Sequence, residues 1–193
     1  MKVFFIDNFD LFSYSLVDEF EKRNCEVLIY RNDVDIKAID NAIKKFRPNL
    51  IVISSGPGNV NGSGNSVEVI QNYCGQIPIF GVGLGHLCII EAFEGKIGRS
   101  PVISHGKTAK IKHDGKTIFK KISDSFIAGT YNSLSASDVP YSLEVSARSE
   151  NGIVMGVRHK EAFVEGILFH PESILTEHGN LIIENLLKEV GKK

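Results

Sequence analysis

The feature that most constrains this chain is an alternation in its first half. Short, unbroken apolar runs rich in β-formers are separated by segments whose apolar residues recur at helical spacing. Residues 3–6, 26–30, 50–54 and 77–82 read as strands. Residues 11–23 (with Leu16, Val17 and Phe20 on one stripe), 36–46, 66–73 and 88–93 read as helices. Strands apolar on both faces need cover on both faces, so this half predicts an α/β fold with a central, mostly parallel sheet flanked by helices. After Gly98 the pattern changes. Runs at 108–111, 126–130, 143–147 and 153–157 have turn signals between them and little helix, which predicts a small antiparallel or mixed sheet. A strand at 164–169 and a helix at 180–190 follow. No Pro/Ser tract, charge block or repeat divides the chain, so residues 1–193 are expected to form a single domain.

Composition removes several classes of function. With 42% hydrophobic residues and a net charge of −1, the chain is too apolar and too nearly neutral to be disordered. Its 22 basic residues against 23 acidic ones argue against a nucleic-acid binder. No apolar run approaches the ~18 residues of a membrane span, and the apolar part of the opening segment 1–7 is too short for a signal peptide. Cys25, Cys74 and Cys88 lack metal-ligand spacing and the six histidines form no HExxH. Neither a disulfide framework, a metal site nor a cofactor is expected, and a reducing cytoplasm is the expected compartment.

In open parallel sheets, ligands sit beyond the carboxyl ends of the strands. Three segments fall there: Ser54-Ser55-Gly56-Pro57-Gly58, Gly81-Val82-Gly83-Leu84-Gly85-His86, and Phe169-His170-Pro171-Glu172-Ser173. Small residues at alternate positions between strand and helix permit a sharp turn with an exposed tip at Gly83, the geometry of a nucleophile elbow. A plain glycine-rich connection is equally compatible with that spacing. A dinucleotide loop is not favoured, since the third glycine of GxGxxG is absent and the loop follows the fourth strand. His170 and Glu172 can set an imidazole and its orienting carboxylate on one rim, or merely flank a surface turn at Pro171. Glycines at 56 and 58 let backbone donors approach an anion closely.

Taken together, these segments resemble the class I glutamine amidotransferases, in particular the small subunits of anthranilate and aminodeoxychorismate synthases. The resemblance runs almost end to end. It takes in Ile6-Asp7-Asn8-Phe9-Asp10 with Phe12, Tyr30-Arg31-Asn32-Asp33, His105-Gly106-Lys107, residues 131–134, residues 155–159 and residues 169–175. It implies a fold of that class and a chemistry in which a cysteine thiolate attacks the side-chain amide of glutamine. A histidine backed by a glutamate moves the protons, and ammonia passes to a chorismate-using large subunit. His170 and Glu172 match the base and its carboxylate. Gly58 and the Leu84 N–H match the oxyanion donors, Gly56 and Pro57 fall with them among the substrate-binding residues, and Ser133 and Leu134 match a segment that holds the substrate backbone.

The chain departs from that pattern where the chemistry is most demanding. Gly83 stands at the nucleophile position, Leu87 where a substrate-binding glutamine is usual, Asn132 in place of a histidine, Ser55 in place of the first proline of Pro-Gly-Pro-Gly, and Leu11 in place of a serine. Cys88, five residues past Gly83, falls about 7.5 Å along a helix and turned away from the elbow, so no thiol is expected to substitute. Losing a covalent nucleophile costs on the order of a millionfold in kcat. The resemblance therefore implies a partner-binding subunit whose glutaminase is lost, or a non-catalytic binding module of the same fold. Gly83→Cys alone is expected to restore some activity, and Leu87→Gln to improve it.

Overall fold

The computed structural model describes residues 1–192. Its frame is a nine-stranded mixed sheet in the order β2-β1-β3-β4-β11-β10-β9-β6-β7. The parallel half contains β1 (Lys2–Asp7), β2 (Glu26–Arg31), β3 (Leu50–Ile53), β4 (Ile79–Val82) and β11 (Val164–Ile167). Antiparallel pairing then continues the same sheet through β10 (Val154–His159), β9 (Leu143–Ser149), β6 (Lys107–His113) and β7 (Ser125–Thr130). A separate two-stranded antiparallel sheet joins β5 (Lys96–Arg99) to β8 (Leu134–Asp138). The α/β class stands as expected. The late strands extend the main sheet, while the small antiparallel sheet is made of two segments too short and polar to stand out in the sequence.

Burial explains the parallel half. β3 and β4 are buried at every residue, and β1 at all but Lys2. Helix α1 (Ser13–Glu21) buries Leu16, Val17 and Phe20, and α2 (Ile36–Phe46) buries Ile39 and Ile43. These stripes recur at three- to four-residue spacing, as a helix lying on a sheet requires. The Asp35 carboxylate caps α2 by accepting from the Lys37 and Ala38 N–H groups. Helix α4 (Leu84–Ala92) is buried at every residue but Glu91, wedged between the central strands, α3 (Ser66–Tyr73) and the small sheet. Helix α5 (Gly179–Val190) closes the chain.

Two helix starts differ by two residues or more from the sequence-based expectation. α1 begins at Ser13 instead of residue 11, because Asp7 Oδ1 accepts from both the Phe9 N–H (3.0 Å) and Ser13 Oγ (2.5 Å) and so fixes the intervening chain as a turn. α4 begins at Leu84 instead of residue 88, directly on the strand-to-helix turn. Among the described residues no helix is long and apolar enough to cross a membrane.

Candidate functional site

The sheet order brings the three suspect segments together. β3, β4 and β11 are adjacent and parallel, so residues that follow them (Ser55–Gly58, Gly83 and His170) emerge side by side at one edge. With Phe9, Asp10, Phe12, Leu84, Leu87, His105, Tyr131, Ser133 and Leu134 they line a cleft of about 570 Å³, ample for a small molecule.

Gly83 sits between β4 and α4 with φ 56° and ψ −110°, a region that costs an L-residue strain and costs glycine little. Its N–H donates to Ile167 O (2.9 Å) and its carbonyl accepts from the Leu87 N–H (3.2 Å), so both sides of the turn are tied down. The next N–H, that of Leu84 at the start of α4, has no partner among the described residues and lies in the favourable field of a helix N-terminus. Gly85 lets α4 approach β3: a β-carbon there would overlap the Ile53 carbonyl, and the Gly85 N–H donates to Ser54 O (3.1 Å).

His170 and Glu172 side chains are each only 3% exposed, and His170 Nδ1 lies 2.7 Å from Glu172 Oε1. The His170 backbone is fixed by its N–H to Gly129 O (3.1 Å) and by its carbonyl, which accepts from Thr176 Oγ1 (2.6 Å). The Tyr131 ring meets the imidazole edge-on at 4.9 Å. So held, the ring turns Nε2 towards Gly83: a β-carbon on Gly83 would lie 3.2 Å from it. The alternative of a solvated surface turn at Pro171 is thereby removed. The arrangement is an imidazole with one nitrogen held by a carboxylate and the other facing an open cleft, the form a general base takes.

Asp10 stands beside this pair, and burial pushes its carboxyl above the usual range, against the attraction of His170 and with the repulsion of Glu172. Among the described residues, only Asp10, His170 and Glu172 bring three potential metal ligands within 4.8 Å of one another, and one imidazole nitrogen is already engaged by Glu172. The cleft lining includes no cysteine among the described residues. Cys88 is fully buried and burial pushes it up to about 12, so it is held as an inert thiol.

Of the positions singled out in the sequence, Leu11, Ser55 and Leu87 line the cleft with Gly83, and Asn132 does not. Leu87 lines the cleft with an apolar surface. Asn132 is buried, its Nδ2 reaching Ser100 Oγ and Leu134 O at 3.3 Å, while its Oδ1 has no partner. The Ser55 side chain occupies the space into which a side chain at 83 would extend. A β-carbon on Gly83 would overlap the Ser55 hydroxyl and lie 2.7 Å from Ser55 Cβ.

Behind the cleft is a polar network whose role the sequence did not disclose. Asn8 Nδ2 donates to Ser54 O (2.8 Å), while Ser54 Oγ accepts from the Asn8 N–H (2.9 Å) and donates to Ser55 O (2.7 Å). Asn8 Oδ1 accepts from Asn32 Nδ2 (2.8 Å) and Ser66 Oγ (2.7 Å). Asn8 thus pins the loop carrying residues 55–58 to β1, α3 and the turn after β2. Buried asparagines that follow apolar strands are the signal that marks such positions.

Comparisons with known proteins agree with this geometry. The model of the family described as "Glutamine amidotransferase class-I" matches residues 4–190. An anthranilate synthase component 2 from Methanocaldococcus jannaschii is 44% identical over 186 residues, covering 96% of this chain and 91% of its own. The aminodeoxychorismate synthase component 2 of Escherichia coli is 39% identical, with 96% and 98% covered. A multifunctional tryptophan biosynthesis protein from Pichia angusta is 42% identical over 98% of this chain, which spans only 52% of that protein's length. In fold, the crystal structure of a Thermoplasma acidophilum protein described as part of a GMP synthase superposes with a TM-score of 0.87 at 19% identity, covering all of this chain and 94% of its own. With the family model spanning nearly every residue, the chain belongs to the class I glutamine amidotransferases.

Proposed function

We propose that this chain is the amidotransferase subunit of a chorismate-using synthase, that of anthranilate synthase in the first instance, and that the thiol route to glutamine hydrolysis is closed in it. In this reading residues 1–193 form a single amidotransferase domain working in the cytoplasm. Gly83 occupies the nucleophile position, His170 and Glu172 are the base and its orienting carboxylate, and Gly56, Pro57, Gly58 and the Leu84 N–H form the anion-binding segment. Leu87, Ser133 and Leu134 line the place of the glutamine.

The observation that carries the reading is the pairing of a strained, side-chain-free turn at Gly83 with an imidazole already in place: His170 Nε2 would lie 3.2 Å from a β-carbon there. The base remains and the attacking atom is missing. A thioester needs a sulfur, so the steps that follow from it are unavailable.

A rim of exposed apolar side chains supports a docking role. Phe9, Leu11, Phe12 and Tyr14 precede or open α1, Val102 and Ile103 lie between β5 and β6, and Ile174 and Leu175 follow His170. Leu11 is 93% exposed and Ile174 fully so, a cost that a bound large subunit would recover. Relatives named for both anthranilate and aminodeoxychorismate synthases favour keeping the latter as the second candidate partner.

Reconstitution tests this. Mixed with the correct large subunit, the chain should co-elute as a complex and support product formation from ammonium salt, with glutamine-driven formation reduced by on the order of a millionfold relative to a thiol-bearing homologue. Ordinary glutamine-dependent turnover, or no complex with either large subunit at micromolar concentrations, would overturn the reading.

A further inference from the structure

We infer that Ser55 supplies a hydroxyl nucleophile to the site, making Ser55, His170 and Glu172 a serine-type acyl-transfer constellation directed at activated acyl groups such as esters. The inference rests on the proposed role of His170 and Glu172, and replaces the missing thiol with an atom from the loop after the neighbouring strand. Its basis is positional. One point in space, where a β-carbon at 83 would stand, is overlapped by the Ser55 hydroxyl and lies 3.2 Å from His170 Nε2. The hydroxyl and the imidazole therefore border the same room, the one left by the absent side chain.

Four further observations fit. The Ser55 hydroxyl has no hydrogen-bond partner among the described residues, so turning it about χ1 towards Nε2 breaks no bond. Its backbone is held, since Ser54 Oγ donates to Ser55 O at 2.7 Å and Asn8 anchors Ser54 from both sides. His170 Nδ1 is engaged by Glu172, which leaves Nε2 to accept a proton. The Leu84 N–H, unpartnered at the start of α4, is available to an oxyanion.

In the first half-reaction Ser55 Oγ adds to the acyl carbon while its proton passes to His170 Nε2. The bond from carbon to the leaving alcohol breaks, and that alcohol takes the proton from His170. A water then attacks the acyl-serine with His170 as base, the bond to Oγ breaks, and the acid is released with Ser55 restored. Esters are favoured because an alkoxide departs more readily than the amine of a carboxamide, and Ser55 approaches from beside the elbow instead of its tip.

The test uses the full chain with a fluorophosphonate, whose phosphorus accepts Oγ as fluoride leaves. Peptide mass spectrometry should find the phosphonyl group on Ser55. His170→Ala should slow labelling about a hundredfold or more, and Ser55→Ala should abolish it. Ser55→Cys, which keeps a nucleophile of similar size, should shift reactivity to iodoacetamide at the same peptide. No adduct on Ser55 in the unmodified chain under prolonged excess, or an adduct whose rate ignores His170 in folded protein, would overturn the inference. Complex formation by Ser55→Ala with the large subunit reads out the partner role separately, so either proposal can fail without the other.

Discussion

Replacing Gly83 by cysteine is expected to cost stability before it returns any chemistry. The new β-carbon would overlap the Ser55 hydroxyl and lie 2.7 Å from Ser55 Cβ, closer than two carbons rest. Overpacking of this kind costs about 1–3 kcal/mol. The backbone at φ 56° adds strain of about 1–3 kcal/mol for a residue that bears a side chain. For a chain of 193 residues, where 1 kcal/mol moves Tm by roughly 2–4 °C, the single variant should melt on the order of 10 °C lower. Ser55→Gly removes both offending atoms and leaves the backbone strain. A double-mutant cycle in urea over the unmodified chain, each single variant and the pair should therefore show a coupling of about 1–3 kcal/mol in favour of the pair. The same cycle, assayed for glutamate release with the large subunit present, should show Gly83→Cys gaining more when combined with Ser55→Gly than when introduced alone. Adding Leu87→Gln should raise kcat/KM by a further ten- to hundredfold, the value of a buried hydrogen bond worth about 1–3 kcal/mol. Gly83→Cys alone is still expected to return some activity, held down by the crowding at Ser55. If the two costs add to within about 0.5 kcal/mol, Ser55 does not occupy the thiol's space and the argument fails.

Other consequences can be measured on the unmodified frame. His86 is fully buried, and burial pushes it down to about 4, so the folded state refuses a proton that the unfolded chain binds below about 6.5. Stability should be full above that pH and fall as pH drops from about 6.5 to about 4, by roughly 3 kcal/mol from this group; urea midpoints across that window should flatten in His86→Phe if the cause is right. Arg158, 8% exposed, meets Asp114, Glu144 and Glu165 at 2.8, 2.9 and 3.2 Å, and Glu165 is 1% exposed. Arg158→Met should cost about 3–5 kcal/mol by stranding Glu165, with part regained in Arg158→Met/Glu165→Gln, as read by thermal melts. Leu11→Asp with Ile174→Asp should leave the melt unchanged within about 0.5 kcal/mol while weakening the large-subunit complex at least tenfold by titration, since both side chains lie in solvent in the free chain.

Much of the parallel half is legible in the sequence because its signals are local. Continuous apolar strands and amphipathic stripes at Leu16, Val17 and Phe20, or Ile39 and Ile43, report burial directly through spacing. Boundaries are less so. The true start of α1 depends on Asp7 accepting from Ser13, and a side chain reaching six residues ahead leaves no periodic trace. The antiparallel half reads as strands, yet which strand pairs with which is set across long gaps, as when β11 sits between β4 and β10. Neither β5 nor β8 stands out, because Gly98 and the serines of β8 dilute any alternation.

The site divides along the same line. Gly83, His170 and the 54–58 loop are each visible as unusual residues after strands, and parallel order alone places them on one edge. What no spacing could disclose is how two of its positions meet. Ser55 and Gly83 are 28 positions apart and read from the sequence as two separate departures from the family pattern. In three dimensions they share one volume, because Ser55 extends into the room beside Gly83, which His170 Nε2 also borders. The presence there of a hydroxyl beside the His170–Glu172 pair is the arrangement that makes Ser55 worth testing as a nucleophile. It is also why a thiol placed at 83 is expected to gain more when Ser55 is changed with it.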